Sequence, residues 1–122
     1  MFTKERERVM GKFNLKTDAS NKVLHIELEG SFSQEDGLRS ISAYQDTIST
    51  INTKEFNLDI DCKKLNVTAP EIVPLLEGCL AMFKKDEYKK VVLTLENNAI
   101  LKMQLARLGR TVGLDNLEII SA

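Results

Sequence analysis

The strongest constraint in this chain is a pair of strictly alternating segments. Leu24, Ile26 and Leu28 alternate with His25, Glu27 and Glu29, and Phe56, Leu58, Ile60 and Cys62 alternate with Asn57, Asp59 and Asp61. Successive side chains of a strand point to opposite faces, so a period of two gathers the apolar members on one side. Strands covered on both faces read instead as continuous apolar runs. The pattern therefore predicts helices on one face only over at least this part of the sheet, and mainly on one face overall. The other face would show His25, Glu27, Glu29, Asn57, Asp59 and Asp61 to solvent or to a partner.

The remaining segments fit around these two strands. Phe13 and Leu15 alternate with Asn14 and Lys16, and Asp18-Ala19-Ser20-Asn21 supplies turn residues, so an N-terminal hairpin is expected. Ser33 followed by Glu35 and Asp36 reads as a helix start. Leu38, Ile41, Tyr44, Ile48 and Ile51 then recur at helical spacing, predicting a helix to about Asn52. Asn66-Val67-Thr68-Ala69-Pro70-Glu71 leads into a second helix, in which Thr68 and Glu71 have the spacing of a capping box. A helix from Ala69 to about Lys85 places Pro74 where it removes a backbone donor and kinks the first turns. Val91 to Leu95 reads as a more buried strand, Asn97 or Asn98 as the cap of a third helix, Gly113 as the turn after it, and Leu117 to Ile120 as a last short strand. The order is β-β-α-β-α-β-α-β, with strands separated by helices running parallel. Residues 1–11, of alternating charge, read as a flexible N-terminal segment, and residues 12–122 as one domain.

Composition excludes several function classes. With 17 Lys+Arg against 18 Asp+Glu, the net charge is −1, which argues against a general basic field for nucleic acid. There is no run of about 18 apolar residues, so membrane insertion is not expected. Nor does an apolar stretch follow the charges of Met1 to Arg8, so they do not read as a secretory signal. Cys62 and Cys79 do not make a disulfide framework in 122 residues, and a reducing, cytoplasmic setting is expected. With one histidine, no tryptophan and no Cys/His cluster, neither a metal, a cofactor nor a catalytic centre is expected.

The element order resembles the STAS domain, the fold of bacterial anti-sigma factor antagonists, over about residues 12–121. Val23-Leu24-His25-Ile26-Glu27-Leu28-Glu29-Gly30 resembles the family's second strand, which ends in glycine. Phe56-Asn57-Leu58-Asp59-Ile60 resembles its central strand, and Leu105 to Leu114 its passage from helix to glycine-leucine before the last strand. The resemblance implies an α/β fold with a mixed sheet, and a non-catalytic protein–protein interaction module of a partner-switching system. The implied partner is a serine/threonine kinase-like anti-sigma factor or a phosphatase. In the family a serine or threonine in an Asp-Ser-Ser/Thr-Gly loop before the second helix is phosphorylated. Here the matching loop keeps one hydroxyl, Thr68, and lacks both the aspartate and the glycine; in a shifted register Glu71 would stand there as a fixed negative charge.

The candidate site is therefore Thr68 as phosphoacceptor, with Lys64, Leu65, Asn66, Val67, Ala69 and Glu71 as partner-binding surface. A phosphate at a helix N-terminus would meet free N–H groups and the positive end of the dipole. The plainer alternative is that Thr68 is only an N-cap. The acidic strand face reads first as a solvated surface, His25 as an ordinary surface residue, Cys79 as a small core residue and Cys62 as half exposed. A different class remains open: a domain binding a small ligand, or a regulatory subunit, that kept the fold and lost the switch. The weakest alternative is an enzyme using Cys62 or His25.

Overall fold

The structure is a computed structural model, and it describes residues 11–121. The expected flexible segment 1–11 falls, apart from Gly11, outside the described residues. Five strands form one mixed sheet in sequential order: β1 (Lys12–Asp18), β2 (Val23–Gly30), β3 (Asn57–Leu65), β4 (Lys90–Leu95) and β5 (Leu117–Ser121). β1 and β2 form the antiparallel hairpin, and every later pair is parallel. Three helices connect the parallel strands: α1 (Gln34–Ile48), α2 (Val73–Asp86) and α3 (Ala99–Val112). When the strand order advances in one direction with crossovers of one hand, every helix falls on the same face.

The burial pattern agrees with that geometry. Leu24 and Ile26 of β2, Leu58, Ile60 and Cys62 of β3, and Val91, Leu93 and Leu95 of β4 are buried against Tyr44 of α1, Leu80 and Phe83 of α2, and Leu101, Leu105 and Leu108 of α3. On the other face His25, Glu27 and Asn57 are exposed, and Glu29, Asp59 and Asp61 are partly so. β4 departs from the expected buried strand. Val92 and Thr94 are half-buried on the open face, so β4 alternates like its neighbours. Both are β-branched, which suits a strand on either face and hides the alternation in the sequence.

Helix ends depart from expectation in two places. Ser33 caps α1 as a full capping box: its hydroxyl accepts from Asp36 N, and the Asp36 carboxylate accepts from Ser33 N. That helix stops at Ile48 rather than Asn52, because the chain turns over residues 49–52 into a short 3₁₀ turn, Thr53–Glu55, capped by Asn52. The second helix does not start at Ala69. Pro70–Ile72 forms a 3₁₀ turn, and α2 begins at Val73, so Pro74 lies in its first turn where no donor is needed. The chain thus avoids the kink that Pro74 would impose on a longer helix.

The far end of this face is closed by polar contacts. Tyr44 Oη is 2.5 Å from Asp86 Oδ2 and 2.6 Å from Tyr88 Oη. Thr53 Oγ1 donates to the Asp86 carbonyl, and Asn116 Nδ2 donates to the Tyr88 carbonyl at 2.7 Å. The rings of Tyr44 and Phe83 meet edge to face with centroids 5.3 Å apart. Burial pushes both tyrosine hydroxyls above their ordinary range; for Tyr44 the Asp86 carboxylate adds to the rise.

Candidate functional site

β2, β3 and β4 all finish at the same end of the sheet, and the loops after them, residues 31–33, 66–69 and 96–98, share that end. Such edges are where open α/β sheets place their binding loops. The loop after β3 is fixed at two points. Asn66 N donates to the Gly30 carbonyl at 3.0 Å, and Asn66 Nδ2 to Ser31 Oγ at 2.7 Å. Two residues on, the Gln104 side chain of α3 grips the backbone of Thr68. Its Oε1 accepts from Thr68 N and its Nε2 donates to the Thr68 carbonyl, both at 2.9 Å. Gln104 was not legible as a site residue, because a half-buried glutamine in an amphipathic helix carries no local signal.

The expected capping box of Thr68 and Glu71 does not form. Ala69 stands at the cap of the 3₁₀ turn with no side-chain cap bond, and Ile72 stands at the cap of α2. The early 3₁₀ turn, dictated by the spacing of Pro70 and Pro74, moves the α-helical donors away from Thr68. Thr68 is half-buried, and among the described residues its hydroxyl enters no hydrogen bond. Lys64, Asn66, Val67, Ala69 and Glu71 are exposed as a partner surface requires, but Leu65 turns inward and is half-buried.

Large apolar side chains are exposed on this loop, on α1 and on α3. Val67 is 41% exposed, Leu38 on α1 51%, and Ile100 and Met103 on α3 64% and 65%. Residues 100, 103 and 104 share one helix face, so Ile100 and Met103 flank the Gln104 clamp. Between the start of α1, the loop and α2 lies a cavity of about 140 Å³, lined by Leu28, Phe32, Leu65, Ile72, Leu75 and Leu76 with Val67 and Thr68 at its rim. A second apolar space of about 80 Å³ adjoins it under α1 and α2, sharing Leu28, Ser40, Leu65, Leu76 and Cys79. Gly37 on α1 leaves room for Leu75 of α2: a Cβ there would lie 2.2 Å from Leu75 Cδ2.

No family model matches this chain, and no curated protein or solved structure matches it either. The reading of the site therefore rests on its own chemistry.

The other candidates separate cleanly. His25 pairs across the sheet with Asp59, Nδ1 to Oδ2 3.4 Å, both about half exposed. They stand in a shallow groove of about 280 Å³ with Asn14, Lys16, Glu27 and Asp61 on the open face. Cys62 belongs to the opposite, helix-covered face and is 2% exposed rather than half exposed, since it continues the inward series Leu58 and Ile60. Burial pushes its thiol up to about 12, with the Asp61 charge adding to the rise. A sheet thus separates His25 from both cysteines. Cys79 is half-buried and lines both apolar spaces, with its thiol pushed up to about 11 by burial. Among the described residues no group of three or more His, Cys, Asp or Glu is placed to hold a metal ion, and no helix is long and apolar enough to cross a membrane.

Proposed function

We propose that this protein is a non-catalytic protein–protein interaction module of STAS type, similar to a bacterial anti-sigma factor antagonist, acting in the cytoplasm. Its docking surface is the segment 64–71, running from the end of β3 through the loop into the 3₁₀ turn, with the adjoining starts of α1 and α3. One observation carries the reading: the Gln104 side chain of α3 clamps the loop backbone at Thr68 on both its N–H and its carbonyl, while the neighbouring Val67 side chain stays exposed. Apolar anchors on a fixed backbone give a partner contact area at little ordering cost. The element order and the one-sided sheet support the STAS comparison. Thr68 is the candidate switch, because a phosphate adding about −1.5 to −2 charge at the rim of an apolar surface would disrupt docking. A kinase-like anti-sigma factor or a phosphatase is the partner class that fits such a switch.

The test is affinity capture at native expression level, with phosphosite mapping of the same sample. A partner retained by the wild-type chain should be lost with Val67→Asp and with Thr68→Glu, and kept with Thr68→Ala. If nothing retained by the wild type distinguishes it from Val67→Asp, the reading fails.

A second reading, a ligand-binding or regulatory domain, is favoured by the apolar cavity beside the loop. At about 140 Å³ it is close to the ~150 Å³ that accommodates a benzene ring in a protein core. That size suits one ring or one short branched group, well below an acyl chain. Mass spectrometry of the purified protein under native conditions would reveal such a ligand.

A further inference from the structure

The cavity beside the loop is shaped by an irregularity in the sheet. Glu27 pairs with Asp61, but Glu29 pairs with Lys64, so Leu28 alone stands opposite both Cys62 and Lys63. The extra residue is a β-bulge, which bends the strand that carries it and re-aims the side chains beyond. The inward series of β3 therefore runs Leu58, Ile60, Cys62 and then Leu65, while Lys63 and Lys64 stay exposed. Leu28 and Leu65 thus meet in the wall of the cavity of about 140 Å³.

The lining is sorted by chemistry. Ser31, Asn66 and Thr68, on the loops that follow β2 and β3, line this cavity but not the smaller apolar space beside it. Polar groups thus gather at the loop side, and aliphatic walls make up the rest. Among the described residues no Lys, Arg, His, Asp or Glu lines the cavity. The hydrogen-bonding capacity at the rim is only partly used. Asn66 Nδ2 donates to Ser31 Oγ, whereas the Thr68 hydroxyl enters no hydrogen bond among the described residues. A hydroxyl both donates and accepts, so Thr68 can pair with a neutral polar group of either kind. A carboxylate placed here would lose its water and meet no cation, which is strongly unfavourable. A wholly apolar guest would shield the Thr68 hydroxyl from water without replacing that partner.

We propose that this cavity is a binding site for a small neutral ring compound bearing one hydroxyl group, of the size and type of phenol. The ring lies among Leu28, Leu65, Leu75 and Leu76, and the ligand hydroxyl hydrogen-bonds to Thr68 Oγ1. The proposal rests on the ligand-binding reading and adds the chemical class of the ligand.

The test is a titration of the isotope-labelled full chain with phenol, toluene and benzoate, followed by the backbone amide shifts in NMR. Phenol should give saturable shifts at Leu65, Thr68 and Leu76 and none at Tyr88, and benzoate should give none at these positions. Thr68→Val keeps the side-chain shape and the backbone clamp but removes the hydroxyl. It should weaken phenol by about two- to tenfold, the effect of one neutral hydrogen bond, and should not weaken toluene. Phenol affinity unchanged in Thr68→Val overturns the proposal, as does benzoate binding as tightly as phenol. If toluene binds and phenol does not, the hydroxyl-bearing class is overturned while the ligand-binding reading stands. If neither ring shifts these amides, both fail together.

Discussion

The two ends of the helical layer are built differently. Where α1 and α2 finish, Tyr44, Tyr88, Asp86 and Thr53 join in hydrogen bonds, and the Tyr44 and Phe83 rings close the gap between the helices. Where the same helices begin, an apolar cavity lies beside the Gly37–Leu75 approach, and the polar contacts are mostly to backbone: Gln104 to Thr68, Asn66 to Gly30, Asp36 to Ser33, with Asn66 also reaching the Ser31 hydroxyl. Buried side-chain networks rigidify what they join. An unfilled apolar space instead forgoes packing contacts that a bound group would restore. The contrast sets a closed, hydrogen-bonded end against an open, apolar one.

The largest test of that contrast is Tyr44→Ala at the closed end. Loss of a buried ring together with two hydrogen-bond partners should destabilise the protein by about 3–5 kcal/mol, measured by urea unfolding. A loss of under about 1 kcal/mol would mean that this end is no more rigid than an ordinary surface.

Gln104→Ala at the open end should cost about 1–3 kcal/mol, because the Thr68 N–H and carbonyl lose their partner. Its distinguishing readout is amide hydrogen exchange, which should accelerate at Thr68 and its neighbours while leaving Tyr88 unaffected.

pH separates the ends by sign. Hydrogen bonds from Ser33, chiefly its backbone N–H, hold the Asp36 carboxyl below the ordinary value of 3.8. A lowered folded value means that the contribution is present above the unfolded value and is lost as pH falls through the folded one. Asp36→Asn should therefore flatten the acid limb of the stability curve. Tyr44 and Tyr88 are raised above the ordinary value of 10.0, so their contribution is complete below that value and declines as pH climbs past it. Replacing both with phenylalanine should flatten the alkaline limb alone. Stability curves of the two variants, measured by denaturant titration across pH, check both signs.

The smallest expected effect on the fold is that of Val67→Ser. An exposed side chain should change stability by less than about 0.5 kcal/mol. Measured beside the capture experiment, such a variant separates recognition from folding: binding should fall while the urea midpoint holds.

Much of this architecture was legible in residue order. The alternation of Leu24, Ile26, Leu58 and Ile60 with charged neighbours determined a sheet covered on one side, and the spacing from Leu38 to Ile48 determined a helix above it. These signals are local, since each depends only on the geometry of a strand or a helix. What the tertiary structure decided depends on partners far apart in sequence. Gln104 reaches Thr68 across 36 positions, and Tyr44 reaches Tyr88 across 44. The burial of Cys62, the gap between α1 and α2 left beside the Gly37–Leu75 contact, and the junction of Gly11 with Phe32 likewise arise only when separate elements are brought together. Periodicity states which face of an element turns inward, but the fit between two inward faces is a property of the pair, and that fit is what leaves one end closed and the other open.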